Sequence, residues 1–402
     1  MTGYRFHLLS LQTFRAILAL LVLTSIYSCS GRSVSDTQSS INSKKPVGKM
    51  SPNKTAVSKP VAQTPAIATY HFDKPEHVKG LYWTAWTAGM SSGRARMFAI
   101  IDKTDINAVV IDVRDDGQMY FKNSLPLAAE SGANKTAVGR PAVLFKSLVE
   151  HKVWPIARIA CFRDNYVTKK HPELAIQFPD GKPWHDRRNY YWLDPYNKKN
   201  WDYLASVVDS AIDLGFPEIQ LDYVRFPSEG KAATQVFPAK AEYAKSGEVA
   251  ADVIAAFTKF IGERVHKRKA LFSVDIFGII SSTKGDEGIG QQLEKVSASF
   301  DVLSPMIYPS HFAKGEYGIK NPNYVPYDII KKSLNDYKKR LPTVTIRPWL
   351  QAFTLGPPKY GAPELKAQIK AAKDVGYQGY LIWNAQNRYP YVAEALGPKS
   401  VK

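Results

Sequence analysis

The chain has 402 residues, 45% of them hydrophobic and 22% charged, which is too apolar for a disordered polyelectrolyte and enough for one large core. Its formal net charge of +18 would suit a nucleic-acid binder, but the lysines are spread out, with no dense arginine run and no nucleic-acid module. Nucleic acid is therefore excluded as a partner, and the charge reads as a solvated basic surface suited to anionic lipid or envelope polymer.

In chain order, Arg5 and Arg15 precede an apolar run at 16–26 that ends in Tyr27, Ser28 and Cys29. A basic start followed by so short a run fits a signal peptide rather than a membrane span. Ser28 before Cys29 resembles a lipoprotein cleavage box, so residues 1–29 are expected to direct export, with Cys29 lipidated and the protein anchored at a bacterial cell envelope, outer membrane included. Tyr27 stands where a small residue is usual, and an uncleaved anchor is the alternative. Residues 30–68 are rich in Ser, Lys, Pro and Ala and free of aromatics, and read as a tether. Cys161 lies in an apolar run and is expected to be an inert thiol unpaired with Cys29.

From residue 69 onward, short β-rich runs alternate with amphipathic helical stretches. Strands are expected at 80–86, 108–113, 155–161, 218–222, 271–275, 302–308, 346–351 and 379–384. Helices are expected at 200–214, 249–268, 326–341 and 363–375. Eight strands in one alternating series, with no Gly-rich phosphate loop after the first, predict a single α/β domain over 69–402: a (β/α)8 TIM barrel.

Chemistry in this fold gathers at the C-terminal strand ends. Several runs end in polar residues that packing does not require: Asp112, then Asp164 beyond the third, Asp222 on the fourth, Asp275 on the fifth, Tyr308 on the sixth, Gln351 on the seventh and Asn384 on the eighth. Asp222 and Asp275 would end adjacent strands. Glycoside hydrolysis uses two carboxyl groups across the bond, about 5–5.5 Å apart for retention and about 6.5–9.5 Å for inversion. Proximity would raise one pKa and make that group the proton donor. The structural alternative pairs Asp222 with Arg225 and leaves Asp275 capping a turn. Aromatic residues in the loops, Trp192 and His311 among them, and Trp349 and Trp383 near the ends of the last two strands offer flat faces to sugar C–H groups.

The segments around Asp112 (108–117), Asp164 (156–164), Trp192-Leu193-Asp194-Pro195, Asp222-Tyr223-Val224-Arg225, Asp275 (272–278) and Tyr308 (303–311) are together similar to the putative glycosyl hydrolase domain family of bacterial β/α barrels. The resemblance covers nearly all of the folded part and implies a carbohydrate-active barrel. A strand-four Asp with a strand-five acid also resembles the α-amylase plan, although Asp275 stands where Glu is usual. The chitinase-like plan fails at Asp222 and Pro309, and a strand-four with strand-seven pair fails at Gln351.

The expected activity is glycoside hydrolysis with retention on an envelope or extracellular glycan, Asp222 as nucleophile and Asp275 as acid/base. Asp112, Asp164, Trp192, Arg225, Tyr308, His311, Trp349, Gln351, Trp383 and Asn384 are expected to hold substrate. Glu229 and Glu316 are the reserve acids. The eight His residues show no metal-ligand spacing, so neither metal nor other cofactor is expected. The rival reading is an envelope protein that binds glycan at the same mouth without cleaving it.

Overall fold

The computed structural model describes residues 70–244 and 248–399. The expected signal segment, Cys29 and the whole of the tether lie outside the described residues.

Eight parallel strands form the barrel: β1 (Lys79–Trp83), β2 (Ala108–Asp115), β3 (Trp154–Ala160), β4 (Glu218–Asp222), β5 (Leu271–Phe277), β6 (Val302–Met306), β7 (Trp349–Gln351) and β8 (Tyr380–Trp383). Each pairs with its successor, and β1 pairs with both β2 and β8, which closes the cylinder. The helices α1 (Ser91–Ile101), α2 (Pro141–Glu150), α3 (Lys198–Asp213), α4 (Ala250–Lys267), α5 (Pro326–Arg340) and α6 (Ala362–Val375) cover the outside. Short helical turns make the β5-to-β6 crossover instead of a long helix.

Local chemistry sets the ends. The Asn197 side chain accepts from the Lys199 N–H at 3.0 Å and starts α3. Glu364 accepts from the Gly361 N–H at 2.8 Å to start α6, and Gly376 ends that helix at φ 109°, where a side chain would be strained.

Strands two and five run on to Asp115 and Phe277, beyond their expected ends, and three others stop early or break. The first stops at Trp83 rather than residue 86, because Thr84 turns outward and its hydroxyl accepts from the Thr87 N–H at 3.2 Å, capping a short helix at Ala85–Gly89. The sixth stops at Met306. The seventh is split: Thr345–Ile346 pairs with β6, then Pro348, which has no N–H to give, interrupts the ladder before Trp349–Gln351 resumes it. Two short strands that the sequence analysis omits, Gln118–Phe121 and Asn134–Val138, extend β2 as an outlying flap.

Strand alternation points Val110 and Asp112, Ile156 and Arg158, and Leu381 and Trp383 inward in pairs. The barrel interior is therefore polar as well as apolar. Glu218 accepts from Trp154 Nε1 at 2.9 Å and from the Ser273 hydroxyl at 2.8 Å, and it forms an ion pair with Arg347. Burial alone would raise its pKa, but Arg347 and these donors hold it below the usual value. One layer above, Gln220 donates to Ser304 at 3.1 Å. The third inward side chain of β4 is Asp222.

Gly117, at φ 86°, lets the β2 flap turn directly against the Asp164 carboxyl, leaving no room for a methyl group. Gly117→Ala is expected to destabilise the fold by about 1–3 kcal/mol through backbone strain and displacement of Asp164. Urea denaturation would measure this.

Candidate active site

The C-terminal strand ends surround a cavity of about 230 Å³. Asp222 from β4 and Asp275 from β5 both line it. Their strands are in register, with Leu221 paired to Val274 one residue earlier, so the two carboxyl groups leave the sheet side by side.

Asp222 is held on both oxygens. Oδ2 accepts from Arg158 Nε at 3.0 Å and Nη2 at 2.7 Å, and Oδ1 accepts from the Tyr223 N–H at 2.7 Å. Tyr223 sits at φ 51°, a left-handed conformation costly for an aromatic residue. The strain aims that N–H at the carboxylate. Arg158 is in turn fixed from behind: Nη1 donates to Asp112 at 2.6 Å and to Asp115 at 3.2 Å. Asp112 also accepts from the Tyr82 hydroxyl at 2.6 Å, and burial pushes its pKa up to about 7 against the opposing pull of Arg158. The Tyr82 ring stacks on Trp383 at 3.9 Å, and the Arg158 guanidinium lies 5.4 Å from the Trp383 ring.

Asp275 has a different setting. It is 1% exposed and accepts one hydrogen bond on Oδ1, from Trp349 Nε1 at 2.8 Å. Burial, and next the neighbouring Asp222 charge, hold its pKa well above the usual carboxylate range. The two neighbouring acids thus differ: one is gripped by a guanidinium, and the other is buried with its pKa raised.

A family model described as a putative glycosyl hydrolase domain matches residues 80–389, the whole barrel. The chain belongs to that family. Among curated proteins none matches it. A hypothetical protein from Ruminiclostridium thermocellum ATCC 27405 is 32% identical, with 48% of this chain and 96% of that one covered and a TM-score of 0.44. The glycoside hydrolase domain of PgaB (BpsB) from Bordetella bronchiseptica is 13% identical over 77% of this chain and 94% of that one, with a TM-score of 0.58. Flavobacterium johnsoniae chitobiase is 12% identical over 79% and 46%, with a TM-score of 0.49. At such identities the PgaB likeness shows a shared fold.

Of the residues expected to hold substrate in this putative glycosyl hydrolase domain, Trp192, Arg225, Tyr308, His311, Trp349 and Trp383 line the cavity. Burial pushes the His311 pKa down to about 4, so the ring is neutral at physiological pH. Four others do not line it. Asp112 lies behind Arg158. Asp164 is fully buried, paired with Arg114, and accepts from the N–H groups of Tyr166 and Val167 at 2.7 Å. Gln351 accepts from the Ser310 N–H and donates to the Phe353 carbonyl, so it ties two loops together. Asn384 donates to the Ala352 carbonyl at 2.7 Å and accepts from the Gln386 N–H. These three polar strand ends satisfy loop backbone rather than a ligand. Of the reserve acids, Glu229 lines the cavity and pairs with Arg188 at 3.6 Å, and Glu316 does not line it.

Cys161 is buried and free. The alternative pairing of Asp222 with Arg225 does not occur. Arg158, not among the expected site residues, takes that carboxylate. Its signal was present: an arginine on the inward face of an otherwise apolar strand, between Ile156 and Ala160, needs acidic partners.

Proposed function

We propose that the protein is a retaining glycoside hydrolase, with Asp222 as nucleophile and Asp275 as acid/base. The observation that carries this reading is a pair of carboxyl groups from adjacent strands in one cavity, one held by the Arg158 guanidinium and the other buried with its pKa raised. The Asp275 O–H gives its proton to the glycosidic oxygen as the C–O bond breaks, while an Asp222 oxygen bonds to the anomeric carbon. Water then attacks that carbon, Asp275 takes the water's proton, and Asp222 leaves with its electron pair. Arg158 and the Tyr223 N–H hold the Asp222 carboxylate in line throughout, so little reorganisation is needed in the transition state.

Two measurements test this. NMR of the first product released from a glycan panel is expected to show the anomer of the substrate, and the opposite anomer would overturn retention. Activity is expected to fall as pH rises through the elevated Asp275 pKa, because the acid must carry a proton. Asp275→Asn should lower kcat by about 10²–10⁴ and remove that limb.

Folding stability has the same sign. The unfolded Asp275 loses its proton near pH 3.9 and the folded one keeps it, so the stability contribution present at low pH is lost as pH rises. Asp275→Asn should therefore raise the neutral-pH melting temperature while lowering activity. A variant both inactive and less stable would count against the assigned protonation state.

We propose further that the substrate is an envelope or extracellular glycan met by an exported protein lipidated at Cys29. Fatty-acid labelling that survives Cys29→Ala would overturn that anchor.

A further inference from the structure

Four arginines line the cavity, and three of them have carboxylate partners. Arg158 holds Asp222 and Asp112, Arg163 holds Asp116, and Arg188 faces Glu229. Arg225 differs. It is 6% exposed, and among the described residues no carboxylate lies within ion-pair distance of it. Its hydrogen bonds run from Nη1, to the Phe226 carbonyl at 3.0 Å and the Ser228 hydroxyl at 3.2 Å.

Three rings hold its guanidinium: Phe277 at 4.5 Å, Trp192 at 4.9 Å and Tyr223 at 5.1 Å. They offer attraction to the cation without neutralising it. A buried guanidinium remains charged, and its desolvation is offset best by a hydrogen-bonded anion. The charges of Glu229 and Asp222 reach it only from a distance, and Glu229 is already engaged by Arg188. With Nη1 occupied, the Nε–Nη2 edge is the fork left for a ligand, and that edge matches the two oxygens of a carboxylate.

We infer that Arg225 is a specificity-determining residue that receives a carboxylate carried by the sugar unit in this cavity. The substrate is therefore an acidic glycan. The inference rests on the glycosidase reading for its substrate class, and binding rather than turnover tests it.

The carboxylate could stand at C6 of a uronate or on a lactyl ether, and the arms of the experiment separate these. Full-length protein carrying Asp222→Asn would be titrated calorimetrically with glucuronate, galacturonate, mannuronate and N-acetylmuramate. Each would be run beside its neutral parent: glucose, galactose, mannose and N-acetylglucosamine. At least one acid is expected to bind about tenfold tighter than its parent, the worth of a charge-assisted fork. The member of the series that does so identifies the carboxylate position.

Adding Arg225→Gln should erase the preference, and Arg225→Lys should retain only part of it, because the charge survives without the fork. Should Arg225→Gln fail to fold, the Lys variant decides alone. Equal binding of every acid and its parent, no saturable binding by any acid, or an acid preference that survives both substitutions undiminished would overturn the inference. Hydrolysis of neutral glycans without acid preference would sink it and leave the enzyme standing. Acid-selective binding by a protein that cleaves nothing would do the reverse.

Discussion

Asp222→Asn is expected to reduce kcat at least about a thousandfold with a small change in KM, the loss typical when a covalent nucleophile is removed. The substitution is nearly isosteric, so Oδ1 can still accept from the Tyr223 N–H. On the other side a neutral amide meets the Arg158 fork, where a carboxylate had accepted two bonds. The amide cannot supply the electron pair that bonds to the anomeric carbon. Steady-state kinetics on whichever glycan the wild type cleaves would measure the effect. If a covalent glycosyl-enzyme forms, mass spectrometry of trapped wild-type protein should find it on the peptide containing Asp222, and the Asn variant should show none. Equal turnover by the two proteins would reject the nucleophile assignment, and the non-catalytic glycan-binding reading would then fit the cavity better.

Arg158→Met is expected to be among the most destabilising single changes in the barrel, at about 3–5 kcal/mol in urea denaturation. The residue is 3% exposed and joins Asp112, Asp115 and Asp222 through one guanidinium. Its removal leaves like charges close together in a region that excludes water. Without the pull of Arg158, buried Asp112 favours its protonated form more strongly, so the deficit should shrink as pH is lowered. That dependence separates a charge effect from a simple packing defect. Arg158→Lys should recover part of the stability and little of the activity. One ammonium can face one acid, but it cannot reproduce the paired Nε and Nη2 bonds to Asp222 while holding Asp112 from behind. Activity lost with stability restored would identify Arg158 as a positioning residue acting through Asp222.

The two predictions use different parts of the site, and the parts differ in how far the sequence discloses them. Asp222 is visible as the third inward side chain on a strand whose first two are also polar. Arg158 is equally inward, yet its partner is chosen by lateral register. Strands β3 and β4 pair Arg158 with Gln220, which sets the guanidinium beside the next carboxylate on β4, 64 residues away. Arg225, three residues from Asp222, looks the better partner on paper. The left-handed turn at Tyr223 carries it away into its own aromatic enclosure.

Asp164, Gln351 and Asn384 show the converse. A polar residue at a strand end serves a ligand or the loop that follows, and composition cannot distinguish the two. Here Asp164 Oδ1 accepts from N–H groups two and three residues onward, and Gln351 and Asn384 reach carbonyls in the loop beyond β7. The strands Gln118–Phe121 and Asn134–Val138 were hidden for a related reason. They are short pieces of four and five residues, one of them mostly polar, and they form by pairing to β2 and to each other.

What the sequence by itself determined is the strand count, their order and which side chains turn inward. Those follow from hydrophobic periodicity and from a chain that alternates strand with helix, both local properties. Only the tertiary structure decided which acid is gripped by arginine, which keeps its proton, and which guanidinium lacks an acidic partner. Ionisation and pairing depend on distance and on exclusion of water, and closure of the barrel creates both by bringing together residues far apart along the chain.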